Sequence, residues 1–365
     1  MSIVERLETN LSQIKGYEAG QDKSEIRKKY NIKEPIKLAS NENPYGPSSE
    51  VKEVISGELT RVAEYPASKA TELRKALAEF YDLSEEMVFT GNGTDEIIGL
   101  LVELFNGQND EIIYPDPSFA KYRLYIQSKG ANGVAVPLDD DLRLDLDRMT
   151  DEINEKTALI FICDPNNPTG TICQGNKIKE FIDRVPEDVL IVLDQAYHEY
   201  MTSGDYYQGL GELTERSNLI ILRTFSKAYG LAGLRVGYGL GSPEVIHYLD
   251  QIRDTFNCNR IAQKAAIAAL KDQQHIQMSR AKNQQEREYL YQELEKAGID
   301  YIKSEANFIL IAVPGDSREA AAELESKGII IKPGAPLGVP GMIRVTVGSR
   351  KENEILIERI IELYK

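Results

Sequence analysis

Val189-Leu190-Ile191-Val192-Leu193 runs straight into Asp194-Gln195-Ala196-Tyr197, five apolar residues followed at once by a carboxylate, an amide and a tyrosine. A run that is continuous rather than alternating has no wet face, which suits a short strand covered on both sides. Two runs of the same kind flank it, Leu159-Ile160-Phe161-Ile162 and Leu219-Ile220-Ile221-Leu222. Helical stretches separate the runs from about residue 70 onward, and that alternation predicts βαβ units around a mostly parallel sheet.

Working outward, the 365 residues correspond to roughly two domains at ~150 residues each. The turn formers of Leu38-Ala39-Ser40-Asn41-Glu42-Asn43-Pro44-Tyr45-Gly46-Pro47 end a charged, helix-biased first piece. After about 245 the chain becomes charged and helical, notably from Gln273 to Lys296, and then carries short strands at Phe308-Ile309-Leu310-Ile311 and Ile343-Arg344-Val345-Thr346-Val347. The expected plan is an N-terminal arm with the first part of a small domain over 1–45, a large α/β domain over 46–255 and a small α+β domain over 256–365. No internal repeat or Gly/Ser linker interrupts it.

The net charge of −15 has the wrong sign for a general binder of nucleic acid or anionic membranes, so an anionic ligand needs a local basic pocket. No apolar run approaches the ~18 residues of a membrane span. The first twenty residues mix both charge signs instead of forming a secretory signal, so the expected location is the cytoplasm. Cys163, Cys173 and Cys258 lack CxxC pairing, and His198, His247 and His275 are far apart, so no metal site is expected. His198 is read as structural.

Ligands of open α/β sheets bind beyond the carboxyl ends of the strands. Those positions hold Asp164-Pro165-Asn166-Asn167-Pro168-Thr169-Gly170, then Asp194 to Tyr197, then Thr224-Phe225-Ser226-Lys227. The spacings Asn167 to Asp194 and Asp194 to Lys227 are 27 and 33 residues, each about one βαβ unit of ~30 residues. An isolated aspartate after a strand is most often a helix cap, and a lone lysine is either a surface charge or a carbonyl-reactive amine. Phe119 reads equally as core, Tyr197 as a helix-start residue with a wet hydroxyl, and Asn167 as a turn stabiliser. The coincidence of these residues asks for a common ligand.

Thr224, Ser226 and Arg235, the last within the glycine-punctuated Gly230 to Gly237, offer hydroxyls and a guanidinium suited to phosphate. Gly91-Asn92-Gly93-Thr94-Asp95 opens an apolar helix from Glu96 to Phe105, whose free amides extend an anion site. No GxxxxGK[ST] run argues for a nucleoside triphosphate. An aldehyde cofactor with a phosphate and a pyridine nitrogen in need of a carboxylate, pyridoxal 5′-phosphate, unites these features.

The succession GNGTDE (91–96), PSFAKY (117–122), DPNNPTG (164–170), LDQAYHEY (193–200), TFSKAYGLAGLRVGY (224–238) and IRVTVG (343–348) resembles the fold-type I pyridoxal-phosphate aminotransferases over nearly the whole chain. With LASNENPYGPS (38–48) it is similar, more narrowly, to the histidinol-phosphate aminotransferase family. The resemblance implies that fold, with a mostly parallel central sheet in a large domain plus a small α+β domain. It implies that Lys227 holds the cofactor and moves the proton, and that Asp194 pairs with the pyridinium nitrogen. Asn167 and Tyr197 would bond the ring oxygen and Phe119 would stack on the ring. Thr94, Asp95, Thr224, Ser226 and Arg235 would hold the phosphate, with Gly93 at the turn. Tyr65 would reach the phosphate of a neighbouring subunit, implying a homodimer.

On the substrate side the resemblance points to Arg344 for an anionic group and to Tyr17, Asn43 and Asn307. Lys332 departs from it, standing where the family usually has an arginine, and supplies a point charge without the bidentate fork. The implied reaction joins L-histidinol phosphate and 2-oxoglutarate. Alternatives on the same scaffold are an aromatic-amino-acid transaminase and a phosphothreonine-type decarboxylase. A cofactor-sensing module fused to a DNA-binding domain is disfavoured by the short stretch ahead of the fold and by the acidic balance.

Overall fold

The three apolar runs become the inner strands of a seven-stranded sheet. Its order is Val88–Gly91, Gly237–Gly241, Leu219–Thr224, Leu190–Asp194, Thr157–Cys163, Glu111–Asp116 and Asn132–Pro137. The structure, a computed structural model, describes residues 3–4, 14, 16, 21–107 and 109–365. Every neighbouring pair is parallel except those of Gly237–Gly241, which runs antiparallel to both its neighbours.

Alternate side chains of each run leave by opposite faces. Ile160, Ile162, Ile191, Leu193, Leu219 and Ile221 enter one core, whereas Leu159, Phe161, Leu190, Val192, Ile220 and Leu222 enter another on the far side. That double burial is why the runs are continuous rather than alternating. The antiparallel strand is glycine-rich for a local reason: a Cβ on Gly237 would lie 2.7 Å from the backbone nitrogen of Thr94, so only glycine lets the helix Thr94–Leu104 start against the sheet.

A second unit is built on an antiparallel four-stranded sheet ordered Lys332–Pro333, Met342–Thr346, Phe308–Ala312 and Tyr301–Ile302. The helices Ser317–Ser326 and Arg350–Glu362 and the C-terminal half of Gln273–Ala297 complete its core with Leu324, Leu356, Leu290 and Leu294. The early strand Ile36–Lys37 pairs in parallel with Ile329–Ile330, so this segment joins the smaller unit.

The expected boundary between 255 and 256 differs from the packing. The helix Arg260–Lys271 sends Ala262, Ala265, Ala266 and Ala269 into the larger core, with Val51, Leu73 and Leu77. Ile276 also belongs there, whereas Leu290 and Leu294 of the same long helix belong to the smaller core. The passage therefore falls inside Gln273–Ala297. An alanine face with charges on its other side reads in the sequence like a surface helix, yet its small side chains allow close helix packing. Among the described residues, no helix is long and apolar enough to cross a membrane.

Candidate active site

Beyond the carboxyl ends of Thr157–Cys163, Leu190–Asp194 and Leu219–Thr224 lies a cavity of about 180 Å³. The expected residues Thr94, Asp95, Phe119, Asn167, Asp194, Tyr197, Thr224, Ser226, Lys227, Arg235 and Arg344 all line it. Register explains the inner end: Cys163 and Asp194 are direct partners on adjacent parallel strands. Asp194, almost fully buried, accepts the Tyr122 hydroxyl proton on Oδ2 at 2.7 Å and the Ala196 amide on Oδ1 at 3.2 Å. Burial pushes its carboxyl up to about 6, against the pull of those two donors.

Lys227 Nζ donates to the Ser40 carbonyl at 3.3 Å and lies 5.7 Å from the centre of the Tyr197 ring. Burial, reinforced by the charges of Arg344 and Arg235, pushes the amine down to about 8. An appreciable fraction is then neutral near neutral pH, the form that attacks a carbonyl.

The far end is an anion cradle. Gly93, with φ of +77°, precedes the free amides of the helix Thr94–Leu104, and a Cβ there would come 2.7 Å from Arg235 Nη2. Only glycine admits the guanidinium so close. Arg235 Nη1 donates to Ser226 Oγ at 3.4 Å and to the Ala232 carbonyl at 3.2 Å, while Nη2 lies 3.7 Å from Asp95 Oδ2. Thr224 Oγ1 accepts the Ser226 amide at 3.1 Å, which turns the Ser226 segment across the strand end.

The third side joins the two units. Arg344 Nη1 donates to Asn167 Oδ1 at 2.5 Å and Nη2 to the Ala39 carbonyl at 2.9 Å. Asn167 Nδ2 donates in turn to the Tyr197 hydroxyl at 3.3 Å. Phe119 presents its ring to the cavity and packs edge-on against Tyr122, the centroids 5.7 Å apart.

The remaining expected residues lie elsewhere. Lys332 is the direct cross-strand partner of Arg344, so both side chains share a face, but it does not line the cavity. Asn43 donates to the Ala228 carbonyl at 2.8 Å and to Ser279 Oγ at 3.1 Å, and Asn307 donates to the Asn41 carbonyl at 2.9 Å. Both amides serve buried groups of the chain itself, as buried carbonyls of a non-helical segment require. Tyr65 is 79% exposed, stacked on Phe256 with centroids 4.6 Å apart and away from the cavity. Tyr17 falls outside the described residues. His198 is packed beside Tyr206.

Two cavity partners escape a reading by residue type. Tyr122 lies three residues after Phe119, in the first turn of the helix Lys121–Ser128 that Phe119 precedes. Asn41 stands in the turn-rich stretch before Pro44 and donates to the Tyr197 hydroxyl at 2.9 Å. Among the described residues, no group of three His, Cys, Asp or Glu side chains could hold a metal ion.

A half-buried amine, a buried carboxylate and an anion cradle around one cavity are the equipment of an enzyme that works through a phosphorylated aldehyde cofactor. The aminotransferase class I and II family matches residues 33–360, and the chain belongs to it. A histidinol-phosphate aminotransferase of Moorella thermoacetica is 42% identical over 351 residues, covering 96% of this chain and 91% of the relative. One from a Geobacillus species is 42% identical over 359 residues, covering 98% of each chain. The solved structure of the Sinorhizobium meliloti histidinol-phosphate aminotransferase, in complex with pyridoxal-5′-phosphate, superimposes with a TM-score of 0.87 at 28% identity, covering 94% of this chain and 95% of that one.

Proposed function

We propose that the chain moves the amino group between L-histidinol phosphate and 2-oxoglutarate, giving imidazole-acetol phosphate and L-glutamate, with pyridoxal 5′-phosphate held in this cavity. The observation that carries the reading is the placement of the Lys227 amine, the Asp194 carboxylate and the Gly93–Arg235 cradle around one cavity in a chain 42% identical to such enzymes. The residues fit the group: Gly93 leaves room for a guanidinium that a Cβ would displace, and the buried Asp194 suits a protonated ring nitrogen.

The cofactor, when bound, supplies a ring that withdraws electrons from the substrate's α-carbon. Asp194 would keep a proton on the ring nitrogen, where the positive charge would strengthen that withdrawal. Thr94, Asp95, Thr224, Ser226 and Arg235 would hold the phosphate, Phe119 would cover the ring face, and Asn167 and Tyr197 would hydrogen-bond the ring oxygen. Lys227 Nζ would hold the cofactor through its aldehyde carbon and would move the proton at the substrate's α-carbon. Arg344 and its cross-strand neighbour Lys332 bind the substrate's phosphate or the carboxylates of the keto acid in turn.

Tyr65, exposed and stacked on Phe256, is the tyrosine that a second copy of the chain would use, which makes the working form a homodimer; its location is taken to be the cytoplasm. The test is to load the protein with cofactor and follow its visible absorption while adding L-histidinol phosphate or phenylalanine separately, without a keto acid. Conversion by histidinol phosphate at concentrations where phenylalanine does little is expected. The reverse preference would make the enzyme an aromatic transaminase, and carbon dioxide released without 2-oxoglutarate would make it a decarboxylase.

A further inference from the structure

The Tyr197 hydroxyl receives two amide hydrogen bonds, from Asn41 Nδ2 at 2.9 Å and from Asn167 Nδ2 at 3.3 Å. The orientation of both amides is fixed by their other partners. Asn167 faces Arg344 Nη1, and a guanidinium only donates, so the Asn167 oxygen must point there and its NH₂ toward Tyr197. The Asn41 backbone amide donates to Thr346 Oγ1 at 2.9 Å, which leaves the threonine proton to donate to Asn41 Oδ1 at 3.2 Å. The Asn41 NH₂ is thereby turned to Tyr197 as well.

Asn41 is 2% exposed, lines the cavity and sits at φ of +55°, a left-handed conformation that asparagine tolerates. Thr346, in the smaller unit, therefore reaches through Asn41 to a tyrosine of the larger one.

We propose that Asn41 is a positioning residue for Tyr197: with Asn167 it fills the acceptor side of the phenol oxygen, so the phenolic proton is aimed into the cavity and Tyr197 acts there as a donor only. This rests on the reading above that Tyr197 faces the cofactor's ring oxygen. A donor-only hydroxyl favours that oxygen in its anionic form. Burial raises the pKa of the phenol, which keeps its proton available across the working range.

The test is the midpoint of the pH-dependent change in the visible absorption of the cofactor-loaded protein. Removing the donor makes the titrating group more basic, so Tyr197→Phe should raise the midpoint by about one to two units, the worth of a hydrogen bond to a charged group. Asn41→Asp offers the phenol an acceptor and draws its proton out of the cavity, so it should raise the midpoint as Tyr197→Phe does. It should add nothing in the Tyr197→Phe background. Asn41→Gly keeps the left-handed backbone but removes one of the two amide donors that aim the phenolic proton into the cavity, so its midpoint should also rise, by less than in Asn41→Asp.

A wild-type midpoint in Asn41→Asp overturns the proposal. So does a shift that persists in the Tyr197→Phe background, which would be the effect of the new charge alone, or an Asn41→Gly midpoint equal to the parent's. If Tyr197→Phe itself leaves the midpoint unmoved, it is the placement of Tyr197 against the ring oxygen that fails.

Discussion

The two walls of the cavity are built differently. One consists of the carboxyl ends of Thr157–Cys163, Leu190–Asp194 and Leu219–Thr224, locked in a parallel ladder with Cys163 opposite Asp194 and Asp194 opposite Leu222. The other is Arg344 on the smaller unit's antiparallel sheet, with the segment Ala39–Asn41 beside it, and side-chain hydrogen bonds hold it to the first. The ladder fixes where the amine and the carboxylate stand to within the pleat of a strand. Arg344 is placed by what it touches, so its position depends on partners more than a hundred residues away. On the function proposed above, chemistry would belong to the first wall and substrate recognition to the second, and substitutions should divide accordingly between kcat and KM.

The largest effect expected is that of Lys227→Ala on the ladder wall, a loss of at least about 10⁴-fold in kcat, the upper end for a missing proton-transfer group. Steady-state turnover with histidinol phosphate measures it, and retained turnover would erase the distinction between the walls.

Asp194→Ala should follow, with a loss of about 10²–10³-fold in kcat and little change in KM, as for other buried charges that stabilise developing charge. The same carboxylate leaves a signature in the cofactor-free protein. Its native pKa of about 6 lies above the ordinary 3.8, so between those values the native state binds more protons than the unfolded chain. Stability should therefore fall as the pH rises through that window, by on the order of 3 kcal/mol, and Asp194→Asn should abolish its share of the fall in urea unfolding.

The smallest effect belongs to the other wall. Lys332→Ala should raise the KM for histidinol phosphate about 3- to 10-fold with kcat nearly unchanged, as for the loss of one charge contact in binding. An equal loss in kcat would mean that Lys332 helps to hold Arg344 in place, since the two are cross-strand partners.

The amino-acid sequence determines the ladder wall almost completely. Continuous apolar runs, each ending in a polar residue at one βαβ interval from the next, leave a single way to cover both faces of a sheet and bring Asn167, Asp194 and Lys227 to one edge. Gly93 is legible for the same reason, because the need for room and a positive φ is written in the residue itself.

Tertiary structure alone decides the rest. The alanine-faced helix Arg260–Lys271 joins the larger core because helices far away in sequence present complementary faces, which periodicity within the helix does not reveal. Asn41 and Asn43 are the same residue type two positions apart in one turn, yet one turns its amide to the Tyr197 hydroxyl and the other to a backbone carbonyl. Local sequence carries no signal for that choice. It is made by whichever buried group lacks a partner when the two units close on each other, and that is a property of the assembled fold.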